Sequence, residues 1–215
     1  MTEMNEIKTL FVDIGGVLLS DGWNRGSRVL AAREFDLDPV EMEARHHQAF
    51  EAYETDRIDL DRYMDLVVFH EKRPFTGARF RDFMFSQSTP LPETIDLVAS
   101  LKAQFDLKVV AVSNEGRELN EYRIRTFQLG RFVDFFVSSC YVGLRKPDPK
   151  IFRLALDTAQ ASPRESAFLE NTPMFVEVAS DLGIHGILHT DCESSRDRLA
   201  GLGLGSEREA AYVHL

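Results

Sequence analysis

The sequence predicts an α/β fold: an open, mainly parallel, Rossmann-like sheet with helices on both faces, plus an all-helical segment inserted after the first strand. Three observations predict it. Short apolar runs of strand length recur along the chain, amphipathic stretches of helical period separate them, and the stretch from Asp21 to Ser86 is helical in pattern throughout. Short, continuously apolar runs suit strands covered on both faces. Their alternation with helices implies right-handed βαβ units.

The elements follow in order. Thr9–Val12 leads to Asp13, Lys108–Val112 to Ser113, Ala167–Leu169 to Glu170 and Gly186–Leu188 to His189, while Asp134–Ser138 precedes Cys140. Glu93–Phe105, Glu118–Leu129, Asp148–Ala159, Met174–Leu182 and Ser194–Leu202 read as helices. Asp148-Pro149 sets a cap with proline at the first helical position, and Gly183 marks a helix stop. Within 21–86, three helices are expected: one opened by Asp38-Pro39 and running to about Tyr53, one capped by Asp59 and reaching His70, and one capped by Thr76 and running through Phe85. The division is therefore a core of residues 1–20 and 87–215 and a helical cap of 21–86. The stretch Gly201–Leu215 reads as a loop with a short tail.

Composition narrows the function classes. The 215 residues suffice for one domain with an insertion, and 44% hydrophobic with 28% charged residues is ordinary for a globular chain. The formal charge of −10 repels phosphate backbones and anionic membranes, so neither nucleic acid nor membrane is an expected partner. Cys140 and Cys192 fall in segments expected to be buried or half-buried, and two free thiols suit a reducing compartment. The acidic N-terminus lacks the apolar stretch of a secretory leader, and no run is long enough to span a bilayer. The expected location is cytoplasmic.

The strand ends carry the chemistry. Asp13 is followed by Ile14-Gly15-Gly16, where two glycines let the backbone turn and bring N–H groups near an anion. A carboxylate there serves as nucleophile, metal ligand or turn former. Ser113-Asn114 offers a hydroxyl and an amide, Lys146 an ammonium just before a capped helix, and Glu170-Asn171 two oxygen-bearing side chains suited to a hard cation. Trp23 is a candidate to stack on a ring, and Arg25 or Arg28 to hold a second anion. His46-His47, adjacent on a helix, point to different faces, and His185 and His189 lack a third ligand, so packing roles are expected.

These four strand ends resemble the motifs of the haloacid dehalogenase superfamily, most of whose members are phosphatases. The resemblance rests on FVDIGGVLL (11–19), VVAVSNEG (109–116), GLRKPDPKIF (143–152) and FLENTPMFVEVASDLGIHGI (168–187), and covers nearly the whole chain. It implies a Mg²⁺-dependent hydrolase of small phosphorylated metabolites; the many phenylalanines of 21–86 leave a monomer or a homodimer open. Asp13 would form an aspartyl-phosphate. The Gly15 carbonyl, Glu170 and Asn171 would join Asp13 around Mg²⁺. Ser113 and Asn114 would hold phosphoryl oxygens beside Gly15 and Gly16, and Lys146 would offset charge. Two positions depart from the family pattern. Gly15 stands where a second Asp usually acts as acid and base, which implies slow turnover or good leaving groups. Asn171 replaces a second acid. The alternatives are a phosphate-binding relative that has lost turnover and a metal-independent 2-haloacid dehalogenase.

Overall fold

Side chains alternate along five short strands, so the apolar residues divide between two faces and the sheet is buried on both. The computed structural model of the chain describes residues 6–205. In it, β1 (Thr9–Val12), β2 (Lys108–Ser113), β3 (Phe135–Ser138), β4 (Ser166–Glu170) and β5 (His185–Leu188) pair in the order β3-β2-β1-β4-β5, every neighbouring pair parallel. On one face Leu10, Val12, Val109, Ala111 and Leu169 pack with Leu97, Val98 and Leu101 of α5 (Pro92–Phe105) and Leu199 of α10 (Cys192–Gly201). On the other, Phe11, Val110, Val112 and Phe168 meet Ile151, Phe152 and Ala155 of α8 (Pro149–Ala159) and Ala179 of α9 (Pro173–Asp181). Burying a side chain of this size stabilises by about 1.5–3 kcal/mol.

Register sets the site. Val12 lies opposite both Ala111 and Leu169, so β1 ends one residue before β4, which stops at Glu170, and two before β2, which stops at Ser113. The chain leaves β1 towards β2 on one side and β4 towards β5 on the other, which opens a crevice beyond the carboxyl ends of β1 and β4. Asp13 stands at that point, its N–H donating to the Leu169 carbonyl at 3.0 Å.

Four helices fill the insertion: α1 (Arg25–Glu34), α2 (Pro39–Glu54), α3 (Leu60–Val67) and α4 (Gly77–Ser86). Asp38, Asp59 and Thr76 cap α2, α3 and α4 as their positions predict. The fourth, α1, is one more than the sequence pattern suggests. Asn24 caps it, but Val29 and Leu30 are exposed and only Arg28, Ala31 and Ala32 are buried, so it lacks a long apolar stripe. Likewise α3 stops at Val67 instead of reaching His70, because the N–H groups of Val68 and Phe69 both turn back to the Met64 carbonyl. The insertion has its own core around Phe35, Tyr63 and Phe80, joined by Leu119 of α6 (Arg117–Thr126).

The short helix α7 (Ser139–Val142) follows β3 and buries Cys140. Burial, with the charge of Glu115 adding to it, pushes the Cys140 thiol up to about 12. Cys192 is half-buried at the start of α10. In a Cys192→Ser variant, a thiol reagent at neutral pH is expected to react with Cys140 only after denaturation. Native-state modification of that variant would contradict the packing. The tail expected after Gly201 is described only to residue 205, where α10 ends at Gly201; residues 206–215 lie outside the described part. No described helix is long and apolar enough to cross a membrane.

Candidate active site

The Asp13 loop is shaped by one glycine more than by the other. Gly16 has φ +73, and its N–H donates to the Leu19 carbonyl at 2.7 Å. A Cβ there would fall 1.9 Å from Asn171 Nδ2 and 2.6 Å from Asp21 Oδ1, so only glycine fits. Gly15 is freer: a Cβ would meet Arg123 Nη1 and Asp21 at 3.7–3.8 Å, ordinary contact distances.

Asp13 is 7% exposed. Its Oδ1 accepts from Ile14 N–H at 2.8 Å and faces Lys146 Nζ at 3.1 Å. Among the described residues nothing donates to Oδ2, which leaves one carboxylate oxygen available to a cavity of about 330 Å³ between the strand ends and the inserted helices. Lys146 is 1% exposed and bridges Asp13 Oδ1 and Glu170 Oε2. Its ammonium lies over the rings of Phe175 and Phe168, at 5.0 and 5.5 Å. Burial by itself would depress this ammonium, but the charges of Asp13 and Glu170 outweigh it and hold the pKa above the usual lysine value. Asn114 clamps the same residue: its Nδ2 donates to the Lys146 carbonyl at 2.9 Å, and its Oδ1 accepts from Lys146 N–H at 2.8 Å. One Asn114 side-chain N–H and its Oδ1 are thus committed to positioning Lys146. Ser113 is buried and lines the cavity, its hydroxyl 3.4 Å from Glu115 Oε1.

Most of the predicted residues converge. Asp13, Gly15, Trp23, Ser113, Asn114, Lys146 and Asn171 all line one cavity. Three depart from expectation. Arg25 is exposed at the start of α1, beside a separate pocket, and does not reach the cavity. Gly16 lies beneath Asn171 and does not line the wall. Glu170 is fully buried behind Lys146, with Oε2 on that ammonium and Oε1 accepting from Thr172 N–H at 2.8 Å. It would reach a cation only by turning an oxygen away from one of these donors. Burial, reinforced by the Asp13 charge, pushes its pKa up. Arg28, the alternative second-anion site, is instead buried against Glu43, at 2.8 Å. Of the remaining histidines, His47 is exposed, His185 contacts the Arg164 carbonyl, and His189 is buried against Ser195 Oγ.

Several residues at the site have no functional signal in the sequence, and His46, expected only to pack, lines the cavity with them. Arg123, 2% exposed, pairs with Glu115 and also donates to Ser88 Oγ at 3.0 Å and the Ser20 carbonyl at 3.1 Å. It therefore ties both crossings into the helical insertion to α6. Arg145 reaches Glu54 of α2 with Nη2 at 2.7 Å and stacks over Phe50 at 4.9 Å. Tyr63 accepts from Trp23 Nε1 at 2.8 Å and lies 2.8 Å from His46 Nδ1. With Trp23 donating in, the Tyr63 hydroxyl donates to His46, fixing the imidazole proton on Nε2. Burial pushes His46 down to about 3, so it stays neutral at physiological pH. Adjacency hints only at Arg145, beside Lys146, and Glu115, beside Ser113-Asn114.

The donor set suits a hard cation. Asp13 Oδ2 and Asn171 are oxygen-bearing groups at the cavity, which Gly15 also lines, and among the described residues no three of His, Cys, Asp and Glu form a metal-binding cluster. Mg²⁺ commonly takes one or two carboxylates and completes its shell with water and phosphate oxygens, which fits so sparse a set.

The family described as haloacid dehalogenase-like hydrolase matches residues 7–183. A curated relative, bifunctional epoxide hydrolase 2 of Sus scrofa, is 42% identical over 68 residues, or 32% of this chain; the match spans 12% of that much longer protein. Flavin mononucleotide hydrolase 1 of Arabidopsis thaliana is 23% identical over 76% of this chain and 65% of its own length. Among solved structures, the magnesium complex of the HAD family enzyme bt-2542 of Bacteroides thetaiotaomicron superposes with TM-score 0.74 at 21% identity, covering 86% of this chain and 94% of that one. The L-2-haloacid dehalogenase of Xanthobacter autotrophicus superposes with TM-score 0.59 at 17% identity, over 83% and 75% of the two chains. At these identities the two structural likenesses establish the fold.

Proposed function

Because the chain belongs to the haloacid dehalogenase-like hydrolases, we propose that it is a Mg²⁺-dependent phosphatase of small phosphomonoesters. The observation that carries the reading is Asp13 Oδ2, an unengaged carboxylate oxygen beside the buried Lys146 ammonium and open to a cavity. Asp13 attacks phosphorus, the ester oxygen leaves, and water then releases phosphate from the aspartyl-phosphate. A dianionic ester and an anionic nucleophile repel each other, so positive charge and N–H donors must hold them together. Lys146, clamped by Asn114 and stacked between two rings, holds one such charge in place without reorganisation. Ser113 lines the same cavity and offers its hydroxyl to the transferring group. Mg²⁺, when bound by Asp13, Asn171 and the Gly15 carbonyl, would supply the remaining charge neutralisation.

The helical insertion acts as a cap that selects the leaving group. Trp23, His46, Phe50 and Tyr63 give it a largely aromatic wall, which favours a ring-bearing alcohol. The phosphatase reading, and not dehalogenation, is favoured by this polar floor: an ammonium, a hydroxyl and amides suit a phosphoryl group better than a haloalkyl carbon. The test is a panel of phosphorylated small molecules and 2-chloropropionate, run with Mg²⁺ and with chelator. Phosphate release that chelation stops and Mg²⁺ restores is expected. Halide release insensitive to chelator, or phosphate binding without turnover across the panel, would replace the reading.

A further inference from the structure

We propose that Glu54 of the cap is the proton donor to the departing oxygen, which equips the site for phosphate esters of ordinary alcohols as well as activated ones; this rests on the phosphatase reading above. An in-line displacement places the leaving oxygen on the far side of phosphorus from the attacking carboxylate. Asp13 lies on the floor, at the end of β1, so the leaving oxygen points up towards the inserted helices. Glu54, at the C-terminal end of α2, lines the same cavity from that side. Arg145 holds its Oε2, with Nε at 3.0 Å and Nη2 at 2.7 Å. Nothing among the described residues bonds its Oε1, and that oxygen is not sealed off from solvent.

The other carboxylates and the imidazole at the cavity are engaged elsewhere. Glu115 is locked to Arg123, Glu170 to Lys146 and Thr172 N–H, and His46 is neutral with Nδ1 accepting from Tyr63. Asp21 is bonded to Asn171 Nδ2 at 3.1 Å, on the floor side. The charged groups facing Glu54 are Arg145 and Lys146, which favour its charge, and the carboxylates of Asp13 and Glu115, which oppose it; the Tyr63 hydroxyl beside it stays neutral. Burial is the largest influence, and the net pKa is raised. A dianionic ester adds negative charge to the same cavity and favours the protonated form further.

The step balances. As the Asp13 oxygen bonds to phosphorus, the ester P–O bond breaks and the leaving oxygen takes the proton of Glu54, producing a neutral alcohol. Glu54, now a carboxylate, takes a proton from the water that attacks the aspartyl-phosphate. Phosphate and a free Asp13 carboxylate result, and Glu54 is again protonated.

The test compares wild type, Glu54→Gln and the double variant Glu54→Gln with Gly15→Asp on two esters carrying the same kind of ring, 4-nitrophenyl phosphate and benzyl phosphate, with Mg²⁺. Glu54→Gln is expected to lower kcat on the benzyl ester by about 10²-fold or more, at least about tenfold beyond its loss on the nitrophenyl ester, since only a poor leaving group needs the proton. The alkaline fall in the wild-type benzyl rate should disappear in the variant. Gly15 has room for a side chain, so Gly15→Asp is expected to restore part of the benzyl rate. Thermal stability and inorganic phosphate affinity, measured alongside, report whether the cap still folds and closes. Equal loss on both esters with the pH profile intact, in a folded variant, assigns Glu54 a positioning role and overturns the proposal. If wild type turns over neither ester, the phosphatase reading itself falls, and this one with it.

Discussion

Asp13→Asn is expected to lower phosphate-ester turnover by on the order of 10⁴–10⁶-fold while leaving the fold in place. The amide keeps the shape of the carboxylate and an oxygen acceptor for Ile14 N–H and Lys146 Nζ, now at 2.8 and 3.1 Å. What it loses is the charge and the nucleophilic Oδ2, the oxygen that no described donor engages. Turnover of 4-nitrophenyl phosphate is the first readout. An acid quench with mass spectrometry is the second, since a phosphoryl adduct on the peptide holding Asp13 should appear in wild type and be missing from the variant. Turnover within a few-fold of wild type would remove Asp13 from the chemistry.

Lys146→Met should affect both activity and stability. The methionine stem can keep the packing between Phe168 and Phe175, but the ammonium that separates Asp13 from the fully buried Glu170 is gone. Breaking a buried pair in this way costs about 3–5 kcal/mol, and removing a charge aimed at the transferring group typically costs about 10²–10³-fold in kcat. The pH dependence has a definite sign. Glu170, already pushed up by burial and by Asp13, loses the partner that favours its ionised form, so its folded pKa rises further above its unfolded value. The folded state then binds more protons than the unfolded state, and stability falls as pH rises from the ordinary carboxylate range through the folded pKa. Denaturant unfolding at about pH 5 and about pH 8 should show a larger deficit, relative to wild type, at the higher pH. A deficit that is the same at both values would mean that Lys146 does not hold the two carboxylates together.

Much of this arrangement was legible in the residues. The strand ends at Asp13, Ser113 and Glu170 follow from apolar runs that stop where the sheet stops, and parallel pairing in register makes those ends neighbours. The caps at Asp38, Asp59 and Thr76 read equally well, because a cap depends on residues a few positions away. The helix α1 was harder to see, because it buries little apolar surface and so has no periodic stripe. Arg25 and Arg28 looked alike in sequence, yet one is exposed at the first turn of α1 and the other is turned inward against Glu43.

The chain by itself determined the order of the elements and which chemical groups stand at the strand ends, since local periodicity and capping act over a few residues. Tertiary structure alone decided what those groups face. It took Glu170 behind Lys146, gave the Asn114 side chain to the Lys146 backbone, and brought Glu54 to Arg145 across 91 positions of sequence. The physical reason is desolvation: each of these charges or amides leaves water on folding and must find its partner in space, and no local pattern records which distant residue will supply it.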